Sequence, residues 1–177
     1  MSEQSARSEQ SAQPAQPVQK ITTFLWFDDQ AEEAARFYVS VFGGSSRIIE
    51  TTRYTEAFPD QAGTVMTVVF ELAGQQYTAL NGGKQDFSFN ESISLSVDCA
   101  SQEEVDELWA RLTADGGEEG PCGWLKDKYG LSWQIVPRAL REILSGEDRE
   151  GVNRALGAMM KMRKLDVAGL RRAYEGD

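Results

Sequence analysis

The chain contains no histidine, which restricts the chemistry that its side chains can perform. Without an imidazole, a Ser-His or Cys-His nucleophilic pair is impossible, and the usual base with a pKa near neutrality is absent. A general base would have to be a carboxylate whose pKa is raised by burial. Asp98, Glu91 and Glu71 are candidates, and spacing favours none of them. Cys122 is more typical of a packed thiol than of a nucleophile.

Composition argues against two classes of partner. The net charge of −10 argues against DNA or RNA, because affinity for nucleic acid depends on Lys and Arg side chains that displace counterions from phosphates. No apolar run approaches the roughly 20 residues needed to cross a bilayer, so we predict no membrane partner.

Cys99 and Cys122 lie far apart in no CxxC pattern; spacing permits a disulfide, but we expect reduced thiols. The expected reduced thiols and the acidic composition together predict a cytoplasmic protein.

Residues 1–20 differ in composition from the rest of the chain. The pentapeptide SEQSA occurs twice and is followed by QPAQPVQ. A tract rich in Ser, Gln, Ala and Pro has too little apolar surface to offset the entropy of ordering, and it lacks the apolar segment of a secretion signal. We therefore predict a disordered tail over residues 1–20.

The periodicity of apolar residues predicts the strands and helices that would position a site. Residues 21–27 (ITTFLWF) are β-branched and aromatic, as in a strand, and Asp28 and Asp29 offer an N-cap to a following helix. Gly43-Gly44 ends that helix. Its apolar stripe has helical spacing: Ala34, Phe37, Tyr38, Val41 and Phe42. Further strands are predicted over residues 47–54, 65–72 and 75–80.

The same pattern returns in the second half of the chain. Residues 92–97 (SISLSV) alternate as a strand does, and residues 101–104 (SQEE) form a capping box. A second helical stripe follows 71 residues after the first (34 to 105, 41 to 112), at Val105, Leu108, Trp109 and Leu112. Further strands are predicted over residues 118–122, 123–126 and 131–136.

These patterns predict an α+β fold. They indicate two βαβββ modules, residues 21–83 and 91–137, which together span residues 21–137. A helical extension over residues 138–177 carries short apolar stripes and packs across the domain or a partner subunit. Met159, Met160 and Met162 lie at helical spacing in it, which is typical of core or dimer-interface packing.

Several segments together resemble a known family. FLWFDDQAEEAARFYVSVFG, ALNGG, FNESISLSVDC and AMMKMRKLDVAGLRRAY are weak singly, whereas GWLKDKYGLSWQ is a specific signature. From about residue 21 to residue 174 the chain resembles the PhnB-like branch of the vicinal oxygen chelate superfamily, which includes glyoxalase I and the bleomycin-resistance proteins. Members of this branch are often labelled demethylubiquinone methyltransferase-like. The resemblance implies that the two modules form curled mixed sheets around a cleft, with homodimerisation completing the site, and it implies no particular chemistry.

The resemblance also identifies where metal-using relatives place their ligands. Those positions correspond here to Thr22, Ser92 and Gln134, with a fourth inside residues 76–81 (QYTALN). Neutral hydroxyls and an amide are poor ligands for zinc, nickel or iron. We therefore predict no metal and no other cofactor.

The cleft implied by the resemblance is aromatic and carries neutral hydrogen-bonding groups. The serine face of residues 92–97 would lie opposite the first strand, and Trp124 is a candidate stacking platform. The alternative is that the serine face simply meets solvent. The predicted ligand-binding residues are Thr22, Phe24, Trp26, Ser92, Ser94, Trp124, Ser132 and Gln134.

Other residues of the same segments are given structural roles. We predict that Trp133 packs in the core, that residues 126–129 form a solvated hairpin tip, and that Asn81 and Asn90 stabilise turns. The methyltransferase label finds no support in the residues, because neither Gly43-Gly44 nor Gly82-Gly83 lies between a strand and a helix as a glycine-rich cofactor turn does.

We therefore predict a metal-independent small-molecule-binding protein that forms a homodimer. One alternative is an enzyme, a lyase, an isomerase or the methyltransferase of the family label, that uses a cleft carboxylate or an unconventional metal site. Another is a protein–protein module whose C-terminal helices are the working surface.

Overall fold

The computed structural model describes residues 19–177 of the 177-residue chain. The predicted tail therefore lies outside the described residues, except for its last two positions. Gln19 is held against the domain: its Nε2 donates to the Gln76 carbonyl at 3.0 Å, and its Oε1 accepts from the Gln76 amide at 2.9 Å. None of the helices in the described part is long and apolar enough to cross a bilayer.

The first module contains one helix and four strands. In chain order these are β1 (Thr23–Phe27), α1 (Ala31–Phe42), β2 (Arg47–Arg53), β3 (Val65–Leu72) and β4 (Gln75–Asn81). The sheet order is β1-β4-β3-β2, with β1 parallel to β4 and the other pairs antiparallel.

The second module repeats this topology. It contains β5 (Leu95–Cys99), α2 (Gln102–Thr113), β6 (Glu118–Glu119), β7 (Trp124–Lys126) and β8 (Ser132–Pro137). The sheet order is β5-β8-β7-β6, again with its first and last strands parallel. The predicted α+β fold of paired βαβββ modules is confirmed, as two open four-stranded sheets.

The apolar stripes of the two helices form a shared core. Tyr38 and Phe42 of α1 contact Trp133 of β8, with ring centroids 5.5 and 5.4 Å apart. Arg111 of α2 donates to the carbonyls of Ser40 and Val41 at 2.7 and 3.1 Å, where the C-terminus of α1 offers unpaired acceptors. Trp133 lies in the core, as predicted.

The predictions for two strand boundaries and one helix cap are wrong. The strand predicted over residues 92–97 begins only at Leu95, because the Ser92 amide donates to the Asn90 side chain at 2.9 Å and forms a turn. The strand predicted over residues 118–122 ends at Glu119, shortly before Pro121, which lacks an N–H. Neither aspartate caps α1; its Ala31 amide donates to Asn81 Oδ1 at 2.7 Å.

The asparagine at that cap lies at the end of β4, not in a loop as predicted. Its Nδ2 also donates to the Val65 carbonyl at 3.0 Å, and its own carbonyl accepts from the Tyr54 hydroxyl at 2.6 Å. Asn81 therefore joins a helix terminus, a sheet and a loop. No pattern along the chain indicates these contacts, because the partners lie far away in sequence.

The C-terminal extension forms α3 (Arg138–Leu144), α4 (Arg149–Met159) and α5 (Val167–Glu175). Their apolar residues make a second small core centred on Ile143, Ala155 and Leu170. Gln102 attaches this core to α2: it donates to the Leu165 carbonyl at 3.1 Å and accepts from the Val167 amide at 2.8 Å. The extension thus packs on the second module.

Candidate functional site

Each sheet packs its helix on one face and leaves the other face uncovered. On β1, Leu25 and Phe27 are buried against the core, whereas Phe24 and Trp26 point to the opposite side and are 62% and 38% exposed. On β8, Trp133 and Ile135 are buried, and Gln134 alternates with them. We call these uncovered sides the outer faces of the sheets, and they carry most of the predicted site residues.

The first candidate site, which we call the aromatic cavity, has a volume of about 600 Å³. It lies between β1, the loop of residues 84–93 and the tip of the β7–β8 hairpin. Six of its lining residues are aromatic: Phe24, Trp26, Phe27, Phe87, Phe89 and Tyr129. This composition and size are typical of a site for a small organic molecule.

Trp26 is held in a defined orientation at the cavity. Its Nε1 donates to the Gly83 carbonyl at 2.9 Å, and its ring meets Phe87 edge to face at 5.5 Å. The indole lies directly over Gly82, where an added Cβ would come within 2.1 Å of the ring. Gly82 is therefore the residue that permits this close approach of backbone and indole.

The hairpin tip is partly buried, contrary to the prediction of a solvated turn. Asp127 is only 2% exposed and accepts hydrogen bonds from the Trp133 indole at 2.8 Å and from the amides of Tyr129 and Leu131 at 2.9 and 3.1 Å. Burial raises the pKa of this carboxyl, although these hydrogen bonds oppose the shift. The tip is buried because it packs on the first module, not only on its own sheet.

Two further residues of the tip connect the modules. Tyr129 donates to a Glu33 carboxylate oxygen at 2.6 Å, and Lys128 lies 3.2 Å from the same oxygen and over the Phe37 ring. The hydrogen bonds from Tyr129 and Lys128 hold the pKa of Glu33 below its usual value. Asp127 thus shapes a turn whose next two residues close one side of the aromatic cavity.

A second candidate site, which we call the acidic cavity, has a volume of about 350 Å³. It lies on the outer face of the second sheet, beside the segment that follows β6. The lining includes Glu91, Glu118, Glu119, Trp124, Lys126 and Ser132. It shares no lining residue with the aromatic cavity.

The structure divides the predicted site residues between these places. Phe24, Trp26 and Ser92 line the aromatic cavity, and Trp124 and Ser132 line the acidic cavity. The remaining three, Thr22, Ser94 and Gln134, line neither cavity. Gln134 Nε2 donates to Ser94 Oγ at 2.9 Å, which joins two of them on the outer face.

Sequence reasoning missed the residues that close the aromatic cavity. Phe87 and Phe89 lie in a loop, and Tyr129 reaches the cavity from the second module. The FSF tripeptide at residues 87–89 was the available signal, since large apolar side chains spaced by two in a loop need a partner surface. Nothing local indicated which surface that is.

Thr22, Ser92 and Gln134 carry neutral hydroxyls and an amide, which are poor ligands for zinc, nickel or iron. Within residues 19–177, no three His, Cys, Asp or Glu side chains lie together in a way that could hold an ion. The three candidate carboxylate bases are all ion-paired: Asp98 with Arg138 at 3.1 Å, Glu71 with Arg47 at 3.0 Å and Glu91 with Lys126 at 2.6 Å. The hydrogen bond from Lys126 lowers the pKa of Glu91, the opposite of what a base requires.

The two thiols differ in environment, which predicts different reactivity. Cys99 is buried, and burial raises its pKa to about 12, whereas Cys122 is half-buried with its Sγ 3.7 Å from Met160 Sδ. We expect iodoacetamide at about pH 8 to modify Cys122 and spare Cys99 in the folded protein, because the thiolate is the reacting form. Intact mass and peptide mapping measure this, with urea-unfolded protein as the control in which both react. Equal labelling of both thiols in the folded protein would contradict it.

Comparisons with known proteins agree with this architecture. The family described as 3-demethylubiquinone-9 3-methyltransferase matches residues 19–136. A PhnB protein from Bacillus cereus is 39% identical, with 67% of this chain and 99% of that chain covered and a TM-score of 0.60. Protein PA1353 from Pseudomonas aeruginosa is 18% identical over 68% of this chain and 98% of that chain, with a TM-score of 0.53, and supports the fold alone. A search of curated proteins finds no significant match.

The family match spans more than half of the chain, and the B. cereus protein is matched over almost its whole length. The part of the chain that carries this match is the paired βαβββ domain, and α3 to α5 follow it. The chain therefore belongs to the 3-demethylubiquinone-9 3-methyltransferase family, the PhnB-like branch of the vicinal oxygen chelate superfamily.

Proposed function

We propose that this protein binds a small, partly aromatic or apolar organic molecule in the aromatic cavity, without a metal ion and without chemical turnover. We also propose that it acts as a homodimer in the cytoplasm, where two unpaired cysteines are the usual condition. The observation that carries the proposal is the set of large aromatic side chains that meet at one open cavity.

The exposure of those side chains is the main support for binding. Phe24 is 62% exposed and Phe87 is 61% exposed, although each would gain free energy by burial. Exposed apolar groups that are contiguous and line a concave surface are characteristic of interaction sites. Trp26 adds a flat ring fixed by the Gly83 carbonyl, which suits stacking against a planar ligand.

The absence of turnover is proposed from the groups around the cavity. Its ionisable lining residues are Asp28, Lys84, Lys128 and Tyr129. Lys128 is paired with Glu33, and burial and the hydrogen bond to Glu33 raise the pKa of the Tyr129 hydroxyl, which disfavours its ionised form. No observation on the lining residues specifically favours the enzymatic alternative.

The proposed dimer rests on the rim of the same cavity. Phe24 and Ile93, which are more than half exposed, line the cavity, and the exposed Ile21 lies two residues before β1. A second copy of this chain that covered the outer face of the first sheet would bury this rim and deepen the cavity. The binding experiment below therefore uses the purified protein at a concentration where its oligomeric state is known.

The test is binding of 1-naphthol, a neutral planar probe, followed by the indole N–H signals of ¹⁵N-labelled protein. The chain has four tryptophans, so four indole signals are expected. We expect saturable shifts of the Trp26 signal with no loss of probe over time. Unchanged Trp26 signals up to the solubility limit would contradict the binding proposal, and conversion of the probe would contradict the absence of turnover.

A further inference from the structure

We propose that the acidic cavity is a second binding site and that it takes an amphipathic organic cation, an apolar or aromatic body carrying one protonated amine. The inference goes beyond the proposed function, because the two cavities have no lining residue in common. Three independent features of the cavity support it: an unpartnered buried hydroxyl, an excess of negative charge and an apolar wall.

The hydroxyl belongs to Ser132, at the start of β8. The residue is fully buried, it lines the cavity, and its Oγ has no hydrogen-bond partner among the described residues. Buried polar groups are nearly always paired, because an unpaired one forfeits its hydration without compensation. The buried Tyr38 hydroxyl is a different case, because it lies in the core beside Asp127 and lines neither cavity. A ligand group that hydrogen-bonds Ser132 would satisfy the hydroxyl.

The charge around the cavity is negative. Three carboxylates, Glu91, Glu118 and Glu119, face a single ammonium, that of Lys126, which is 2.6 Å from Glu91. Glu119 Oε1 accepts the Trp109 indole N–H at 2.8 Å, so this carboxylate is fixed in position. Glu118 lies opposite Lys126 in the β6–β7 pair and makes no ion pair within 4 Å among the described residues, whereas Lys126 contacts Glu91. The remaining negative charge favours a cation and disfavours an anion.

The wall of the cavity supplies the apolar part of the site. Trp124 and Leu125 of β7 and Pro121 line it, and the Trp124 side chain shares the outer face with Ser132 because β7 pairs Lys126 with Ser132 and Trp124 with Gln134. An indole face attracts a cation as well as a flat ring. A cavity of about 350 Å³ is large enough for a bicyclic amine.

The test compares three probes that share one body and differ in charge: 2-(1-naphthyl)ethylamine, 2-(1-naphthyl)ethanol and 1-naphthylacetate. We expect the amine to shift the Trp124 and Trp109 indole signals and to bind at least ~10-fold more tightly than the acetate at low salt. Equal affinity for the amine and the acetate, or shifts confined to Trp26, would overturn the proposal. Binding of 1-naphthol in the aromatic cavity is measured at the Trp26 signal and binding of the amine in the acidic cavity at the Trp124 and Trp109 signals, so each proposal can be contradicted without the other.

Two variants and a matched control assign the contacts. Glu118→Gln is expected to weaken amine binding by about 3-fold, and Ser132→Ala by about 5-fold, the usual effect of one charge contact or hydrogen bond. Ser132→Ala should keep or raise the thermal midpoint, because it removes an unpartnered buried hydroxyl. Glu142→Gln makes the same charge change on exposed α3 and should leave affinity unchanged. Wild-type affinity in Ser132→Ala, or an equal loss in Glu142→Gln, would overturn the assignment.

Discussion

Replacement of Asp127 by alanine is expected to lower the free energy of unfolding by about 4 kcal/mol. The carboxylate is buried and accepts three N–H donors, one of them the Trp133 indole. The variant leaves all three donors inside the protein without an acceptor, and it loosens the turn that packs on α1. Urea unfolding monitored by tryptophan fluorescence measures the change.

Two controls isolate the buried carboxylate. Asp127→Asn keeps the size and one acceptor oxygen but presents an amide to the Trp133 indole, so we expect about half of the alanine effect. Asp86→Ala makes the same truncation at an exposed position and should change stability by less than about 0.5 kcal/mol. A loss below about 1 kcal/mol for Asp127→Ala would contradict the role assigned to this turn.

The stability difference between wild type and Asp127→Asn depends on pH, and the raised pKa of Asp127 determines the direction of that dependence. Burial raises the folded-state pKa of Asp127 above its ordinary value of 3.8, so the folded protein holds this proton more tightly than the unfolded chain. The contribution of Asp127 to stability is therefore greatest below that value and declines as pH rises through the folded pKa. We expect the stability difference between wild type and Asp127→Asn to shrink over that window in paired urea titrations. A difference that grows with pH would contradict the raised pKa.

Replacement of Gly82 by alanine is expected to weaken 1-naphthol binding at least ~10-fold with little loss of stability. The new methyl would come within 2.1 Å of the Trp26 ring, so the indole must leave its position. It would then lose the bond to the Gly83 carbonyl and the edge contact with Phe87. Because Trp26 is on the outer face, the core is not disturbed. Titration followed at the Trp26 indole signal measures the effect.

The matched control is another glycine that has open space. Gly157→Ala adds the same methyl within α4, where nothing lies within 4 Å, and should leave binding unchanged. Trp26→Ala, in which binding is followed at the Phe87 backbone amide because the indole signal is lost, should weaken binding to a similar extent as Gly82→Ala, because both take the indole away from the same position. Affinity within about twofold of wild type in Gly82→Ala would show that the indole orientation does not matter for this site.

The two βαβββ modules could be predicted because the local periodicity of apolar residues indicates their helices and strands. The stripes that begin at Ala34 and Val105 pack as expected, and both modules have one strand order. A period of 3.6 or 2 needs only neighbouring residues to be recognised. The family signature GWLKDKYGLSWQ added the pairing of the modules, which periodicity alone does not provide.

The errors concern contacts between distant parts of the chain. The charged and polar neighbours of Asp127 predict a solvated turn, whereas its burial depends on how the hairpin packs on α1. The division of the eight predicted site residues between two cavities depends on how the modules pack, which no local pattern indicates, and their role in binding stays a prediction. The alternation of residues 92–97 predicts a strand that includes Ser92, but the Asn90 side chain accepts from the Ser92 amide and turns the backbone there.

Native mass spectrometry of the purified protein, with elemental analysis of the same sample, tests directly whether the protein binds a small organic molecule without a metal ion. It reads subunit number, metal content and any bound organic molecule together. We expect a metal-free dimer that carries a small organic adduct, or that takes up 1-naphthol when it is added. A stoichiometric metal would contradict the assignment of Thr22, Ser92 and Gln134 as non-ligating residues and, with it, metal-independent binding.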